Sequence, residues 1–552
     1  MFSKWPSKSQ WLQFFKVLDK KEKIAFLVFA VLAFSSFFFL VCSFYLKNTR
    51  IVPAYGGVHI EGLIGQPRFI NPIFAPLSDV DRDLTGLIFS GLMKYDILGN
   101  LVQDLADCQV KEQGRVYECV LRQDIFWHDG QRLTLDDVIF TLEIIQDPVF
   151  KSPLWPKWLG VKIEKISEQT IRFILPAPSA SFLENLTLKI LPRHIWRNIS
   201  HKAFHLASYN LRPVGSGPYK FREIKKDELG RIEVLSLIAN PQYFRGKPFI
   251  SEIDFLFFRN EQELVKAAHQ GQITGFSLCP LNPANAFGRN WQIHFLVLPR
   301  YFAVFFNPQE AKVFQDINVR QALNYAVNQQ EIIAYLFHKQ GQKVSSPILP
   351  EIFNFSAPQK IFEPNLEKAR ELLEKAGFHK ENPLRFSLST VDHPQLRETA
   401  YLLKKQWQAV GVEVEINIYD IVELKREVIR NRNFQSLLFG QILSAIPDPF
   451  VFWHSLQRRD PGLNLAIFDN NRADFLLERA RQTLNQTARR EKLEEFQNIV
   501  IEQAPAVFLY NPYYLYLVSR TIKKPEMELI ITPAERFTNI EEWYIRTRRI
   551  WH

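Results

Sequence analysis

Cysteine is scarce in this chain: four among 552 residues, at positions 42, 108, 119 and 279. None stands with histidine at a metal-ligand spacing, which argues against a zinc site. No block of lysine and arginine interleaved with aromatics occurs either. The net charge of +10 is spread along the chain and reads as a solvated surface beside an anionic membrane, with no nucleic-acid partner. The signatures of catalysis are missing too. There is no Gly-x-Ser-x-Gly elbow, no His-Glu-x-x-His pair, no Walker A loop and no dinucleotide fingerprint after a strand. Gly215-Ser216-Gly217 is not followed by the Lys-Ser/Thr pair and helix of a phosphate loop, so it reads as a tight turn feeding a strand. Asp136 and Asp137 sit at a helix start, where the dipole favours them. The twelve histidines are scattered, and His128 falls in a polar turn that reads as solvated. No catalytic residue and no cofactor is expected, and the chain does not read as an enzyme.

What is present begins with a long apolar run. Residues 24–46 are 23 consecutive uncharged positions. At ~1.5 Å per residue such a helix spans a ~30 Å hydrocarbon core. Lys16, Lys20, Lys21 and Lys23 precede the run; Lys47 and Arg50 follow it. The larger positive cluster predicts a cytoplasmic N-terminus and an exported body. A cleaved signal peptide has an apolar region of ~7–15 residues ending at a small-x-small site, and no such site follows here. Val41 is too bulky for the position before a lipidated Cys42. The expected order is a cytoplasmic stub at 1–23, with Trp5, Trp11, Phe14 and Phe15 at the lipid interface. A single-pass cell-membrane anchor at 24–46 comes next, then a linker at 47–57 and an extracytoplasmic body.

The apolar and charged fractions, 47% and 23%, are those of a globular protein, and the length allows two or three domains. The stretch Leu84–Pro148 carries its elements in a clear order. Leu84, Leu87, Ile88 and Leu92 mark a helical segment, Asp96–Asn100 a turn, and Val116, Tyr117, Cys119 and Leu121 part of a hairpin. A helix then starts at Thr134, with Asp137 in its first turn and Leu135, Val138, Ile139, Leu142 and Ile145 at helical spacing. If the hairpin turns at Glu112–Arg115, Cys108 and Cys119 face each other at ~4.5–5.5 Å between Cα atoms. That lies within the ~4.4–6.8 Å range of disulfides, and export permits oxidation. A bridge and a pair of buried thiols stand as the two alternatives. Further on, Leu384–Ser389, a helix over Gln395–Val410 and the alternating Val412, Val414, Ile416 and Ile418 form a strand–helix–strand unit, which predicts a parallel α/β lobe.

The Leu84–Pro148 stretch also resembles the entry module of the extracellular solute-binding proteins of the dipeptide and oligopeptide class, family 5, which serve ABC importers. Gly91-Leu92, Asp96, Gly99, Leu105-Ala106, Leu121-Arg122 and Trp127-His128-Asp129-Gly130 through Phe140 follow that family's pattern in order. Ile70-Asn71-Pro72, Leu191-Pro192-Arg193-His194, Pro213 through Phe221, Asn240 through Phe244 and Asp316 through Leu323 are similar to further family motifs. Thr274 stands where the family has aspartate. Arg320 is expected to be a structural partner within its lobe.

The resemblance implies a periplasmic-binding-protein-like α/β fold of two lobes with a hinge and a smaller third lobe. Lobe I would hold 58–90, 208–306 and 510–552, lobe II 91–207 and lobe III 307–509, with hinge crossings at 306–308 and 508–511. It implies a peptide or related small solute bound between lobes and passed to an ABC permease; the alternative is an anchored receptor or envelope scaffold without import. The implied ligand-binding residues are Ala75, Pro76, Leu77, Ser78, Ser277, Leu278, Phe302, Gln441, Ile442, Leu443 and Ser444, with Cys279 beside them and Phe439 and Trp453 as wall or core residues. Peptide-binding members carry Trp-x-x-Asp before an Asp-Pro helix start, and that first aspartate pairs with the ligand's α-amino group. Here Ile442 and Ala445 occupy the two positions, and Asp448-Pro449 reads as a helix N-cap and first residue.

Overall fold

The run Arg300–Phe306 (RYFAVFF) lacks polar alternation, and in the computed structural model it is a strand with apolar packing on both faces. Successive side chains of a strand point to opposite faces. Val304 and Phe306 enter one cluster with Phe314, Leu323 and Trp407; Tyr301, Ala303 and Phe305 enter another with Trp453, Phe468 and Phe508. The described residues are 7–278 and 287–552; Trp5 and Cys279 lie outside them.

This strand belongs to a six-stranded sheet ordered Gly341–Lys343, Ala506–Pro512, Arg300–Phe306, Ser436–Ile442, Arg385–Val391, Glu413–Tyr419. The last three run parallel, with helix Pro394–Gln408 as the crossover between Arg385–Val391 and Glu413–Tyr419. Arg320 donates to the carbonyls of Phe314 (2.6 Å) and Gln503 (2.8 and 2.9 Å), tying helix Ile317–Tyr325 to the end of helix Gln486–Gln503.

A second, seven-stranded sheet is ordered Trp291–Leu296, Tyr514–Ser519, Gly275–Leu278, Val58–Ile64, Glu252–Phe258, Ile232–Ala239, Tyr219–Lys226. Its central strand buries His59 and Glu61. Arg536, fully buried, donates to Glu61 Oε1 at 3.1 and 3.2 Å and to Asp83 at 2.6 and 2.9 Å, so three charges sit together inside this core. Thr274 Oγ1 lies 2.9 Å from His59 Nδ1 and accepts the Ile60 N–H at 2.8 Å. A third, four-stranded antiparallel sheet is ordered Ala106–Lys111, Val116–Leu121, Thr170–Ile174, Lys162–Lys165. Cys108 and Cys119 pair directly across its hairpin and are joined by a disulfide.

Three boundaries differ from expectation. Arg300–Phe306 and Ala506–Pro512 both belong to the six-stranded sheet, so the chain passes between the two large sheets at 297–299 and at Tyr513 instead of 306–308 and 508–511. Pairing with Ser436–Ile442 decides this, and a local apolar pattern cannot reveal it. The segment 47–57 is not a plain linker. Helix Lys20–Asn48 runs directly into strand Thr49–Ala54, which pairs antiparallel with Arg546–Trp551. The stub also contains a helix, Lys8–Val17.

His128 is not simply solvated. Its Nδ1 accepts the Gly215 N–H at 3.2 Å and its Nε2 lies 3.1 Å from the Gly217 carbonyl, so it holds the glycine turn; burial lowers its pKa to about 4. The turn itself packs against helix Asp79–Ile88. A Cβ on Gly215 would lie 1.9 Å from the Ile88 carbonyl oxygen, and one on Gly217 2.5 Å from that of Leu87. Close packing accounts for both glycines.

Candidate functional site

A cavity of about 600 Å³ opens where the three sheets' bodies meet. One wall is helix Asp79–Ile88. Ser78 caps it by accepting the Asp81 N–H at 3.4 Å. Asp79, Arg82, Thr85 and Gly86 reach the cavity from it, a spacing that puts them on one helical face. The small body supplies Trp158, Glu184 and Lys189; the end of strand Ser436–Ile442 supplies Ile442, Leu443 and Ser444; the C-terminal segment supplies Thr532, Glu535, Asn539 and Glu541.

The wall carries as many basic as acidic residues. Its cations are Arg82, Lys94, Lys157, Lys189 and Arg300, and its acids are Asp79, Asp104, Glu184, Glu535 and Glu541. Glu184 lies in the turn Phe182–Thr187, which is seated by the buried Phe182 and Leu186. Its Oε1 accepts the backbone N–H of Ile446 from the opposite body. Burial raises the Glu184 pKa to about 7, against the opposing pull of that N–H, the Lys157 charge and the Ser444 hydroxyl.

Glu535 closes a capping box with Thr532 and accepts the N–H groups of Ile531 (2.6 Å) and Thr532 (3.1 Å); burial raises it, too, to about 7. Burial lowers the Lys189 pKa, with the Asp104 charge opposing. Asp104 is itself engaged by Arg245 Nε at 2.9 Å. Lys94 donates to Asn539 at 3.0 Å and lies 3.9 Å from Glu541. Among the described residues no group of three or more His, Cys, Asp or Glu side chains is arranged to hold a metal.

Of the residues singled out in the sequence, Ala75, Pro76, Ile442, Leu443 and Ser444 line the cavity. The others are placed elsewhere. Leu77 is exposed, and Ser78 is spent on its helix cap. Ser277 pairs with Tyr516 within the seven-stranded sheet, and Leu278 is buried in a side cluster of that sheet. Phe302 packs on the Tyr510 ring, 5.4 Å between centroids. Gln441 is buried and accepts the Tyr301 hydroxyl. Phe439 and Trp453 belong to the core beneath.

Neither Ala445 nor Asp448 lines the cavity. Asp448 is not the N-cap, which is Pro449; it accepts from Arg481 Nε at 2.8 Å, and Arg481 in turn lies 4.0 Å over the Phe450 ring. The cavity's acids went unmarked in the sequence because each sits on a separate element. Glu184, in a Leu-Glu-Asn-Leu turn, shows no local sign that it will face Ile446.

Comparison with known proteins agrees with this architecture. The profile of the bacterial extracellular solute-binding proteins, family 5 middle region, matches residues 100–462. The oligopeptide-binding protein AppA of Bacillus subtilis is 26% identical over 554 aligned positions, covering 95% of this chain and 99% of that protein. The dipeptide-binding protein of Escherichia coli is 26% identical, covering 83% and 90%. The solved structure of Bacillus subtilis AppA in complex with a nonapeptide superposes with a TM-score of 0.73 at 25% identity, over 90% of this chain and 100% of that one. By the extent of the profile match and the shared architecture, this chain belongs to the bacterial extracellular solute-binding proteins of family 5.

Proposed function

We propose that this protein is a membrane-anchored, extracytoplasmic receptor that takes a peptide into the cavity between its bodies and presents it to an ABC permease. The observation that carries this is the cavity: about 600 Å³, walled by all three bodies, with five cations and five acids. That volume falls in the ~300–1,000 Å³ range of ligand sites, and a balanced wall suits a zwitterionic chain. Two connections, at 297–299 and at Tyr513, join the large sheets. Closure on the ligand would occur about these two points. Ala75, Pro76, Leu443 and Ser444 would border the peptide backbone. Helix Lys20–Asn48, none of whose residues is buried, would hold the protein in the membrane with its body outside.

Glu184 would replace the carboxylate that Ala445 lacks. A ligand ammonium in a dry cavity needs a counter-charge, since an unpaired buried ion costs several kcal/mol. Glu184 accepts the N–H of Ile446, the residue next to Ala445, and so brings a carboxylate to the same rim from the opposite side.

Mass spectrometry of small molecules released from the full chain, purified in detergent from its own host, tests the proposal. A ladder of mixed peptides is expected. A single defined non-peptide molecule, or a cavity that stays empty after exposure to peptide pools at millimolar concentration, would overturn it.

A further inference from the structure

The C-terminal strand meets the chain where the membrane-length helix stops. Leu46 is the last residue of the uncharged run and Thr49 already belongs to the ribbon. At ~1.5 Å rise per residue, Thr49 sits only ~5 Å beyond the hydrocarbon edge, within the headgroup layer of a bilayer ~40–45 Å thick overall. No flexible segment intervenes, because helix Lys20–Asn48 passes straight into strand Thr49–Ala54. The junction is braced. Arg549 Nη1 donates to Thr49 Oγ1 at 2.9 Å and lies over the Tyr45 ring, and Trp551 packs edge-on against Tyr45 with centroids 5.6 Å apart.

The ribbon's charge is of one sign. Residues 47–57 and 543–552 contain Lys47, Arg50, Arg546, Arg548 and Arg549 and no acid. The register places Arg50, Arg546 and Arg548 on one face, with Val52 and Ile550 between them. All three arginines are exposed, and among the described residues none of them has a carboxylate partner. Trp551 and Ile51 are also exposed, at 60% and 61%. Three exposed guanidinium groups on one face, with exposed Ile51 and Trp551 on the other, in a ribbon whose first residue lies at headgroup depth, match the chemistry of an anionic lipid surface.

We propose that this ribbon is a lipid-docking surface that binds anionic phospholipid headgroups on the outer face of the membrane and so sets the height and orientation of the body above it. The proposal rests on the anchor of the preceding section. With the ribbon lying along the surface, each arginine contributes about a factor of five (about 1 kcal/mol), so the three on one face together supply on the order of 100-fold.

The test is amide hydrogen exchange on the full chain in lipid nanodiscs of phosphatidylcholine alone or mixed with phosphatidylglycerol. Exchange across 49–54 and 546–551 should slow at least about tenfold in the anionic discs, and the slowing should vanish at ~1 M salt, where the screening length is ~3 Å. It should vanish also in the variant Arg50→Gln/Arg546→Gln/Arg548→Gln, which spares Arg549. Peptides around the cavity serve as the internal reference and should not respond. Equal exchange of the ribbon in both lipids overturns the proposal, and because that comparison uses the unaltered chain it holds even where the variant loses its pairing. Release of the body from the host membrane by cleavage after residue 48 would overturn the anchor and the ribbon proposal together. An anchored body with a lipid-insensitive ribbon overturns the ribbon proposal alone.

Discussion

Glu184 accepts the backbone N–H of Ile446, so a carboxylate from the small body reaches across to the six-stranded body one residue beyond Ala445. The contact spans 262 residues of sequence and joins two bodies that both wall the cavity.

Replacing Glu184 by Gln keeps the shape and removes the charge. Peptides with a free α-amine should bind about 10–100-fold more weakly, the range for losing a hydrogen bond to a charged group. N-acetylated versions of the same peptides should be little affected. Titration calorimetry with both forms checks this; an equal loss for both would show that Glu184 only supports the fold of the rim.

The same group gives binding a pH dependence. In the empty cavity Glu184 titrates at about 7 because burial disfavours its charge. A bound ammonium favours the carboxylate and so lowers that value. Above pH 7 the group is already ionised and binding has its full strength. As pH falls below 7 a proton must be displaced, and affinity should drop by up to tenfold per unit. Glu535 shares the value of about 7, so the measurement needs E184Q as its control: affinity measured from pH 5 to 8 should flatten in that variant, and an unchanged slope would assign the effect to Glu535.

The buried triad of Arg536, Glu61 and Asp83 predicts a stability effect remote from the cavity. Arg536→Met leaves two buried carboxylates without their cation. Breaking such a cluster on one side costs about 3–5 kcal/mol. Calorimetry should show the loss in a transition of the seven-stranded body. No change in any thermal transition would mean that the arginine's charge does not hold this core together.

Gly215→Ala tests the turn held by His128. The new Cβ would lie 1.9 Å from a backbone oxygen, which no side-chain adjustment relieves. Yield of folded protein should collapse. Gly230→Ala is the contrast: its φ is +79° but nothing lies within 4 Å of the added carbon, so the cost should be only the ~1 kcal/mol of a left-handed residue. Similar thermal stability of the two variants would contradict the packing account.

Several elements were legible because their causes are local. The Thr134 and Asp137 capping box, the strand–helix–strand at 385–419 and the cross-strand placement of Cys108 and Cys119 all follow from periodicity or a short turn. The role of Asp448 is hidden for an equally local reason. Asp before Pro looks like a cap, and only the approach of Arg481, from a helix 33 residues away, gives it another role. Phe302 and Gln441, candidate ligand contacts in the sequence, are turned by the strand's pleat into the sheet's packing.

From the sequence by itself came the membrane-length apolar helix, the exclusion of familiar catalytic motifs, the α/β architecture and the family resemblance, because composition, period and motif order are properties of neighbouring residues. The tertiary structure alone decided which charges face the cavity, where the chain passes between sheets, and that Thr49 pairs with Trp551. Those features depend on pairings across hundreds of residues. Their free energy comes from burial and hydrogen bonding between distant elements, and local sequence pattern carries no record of the partner.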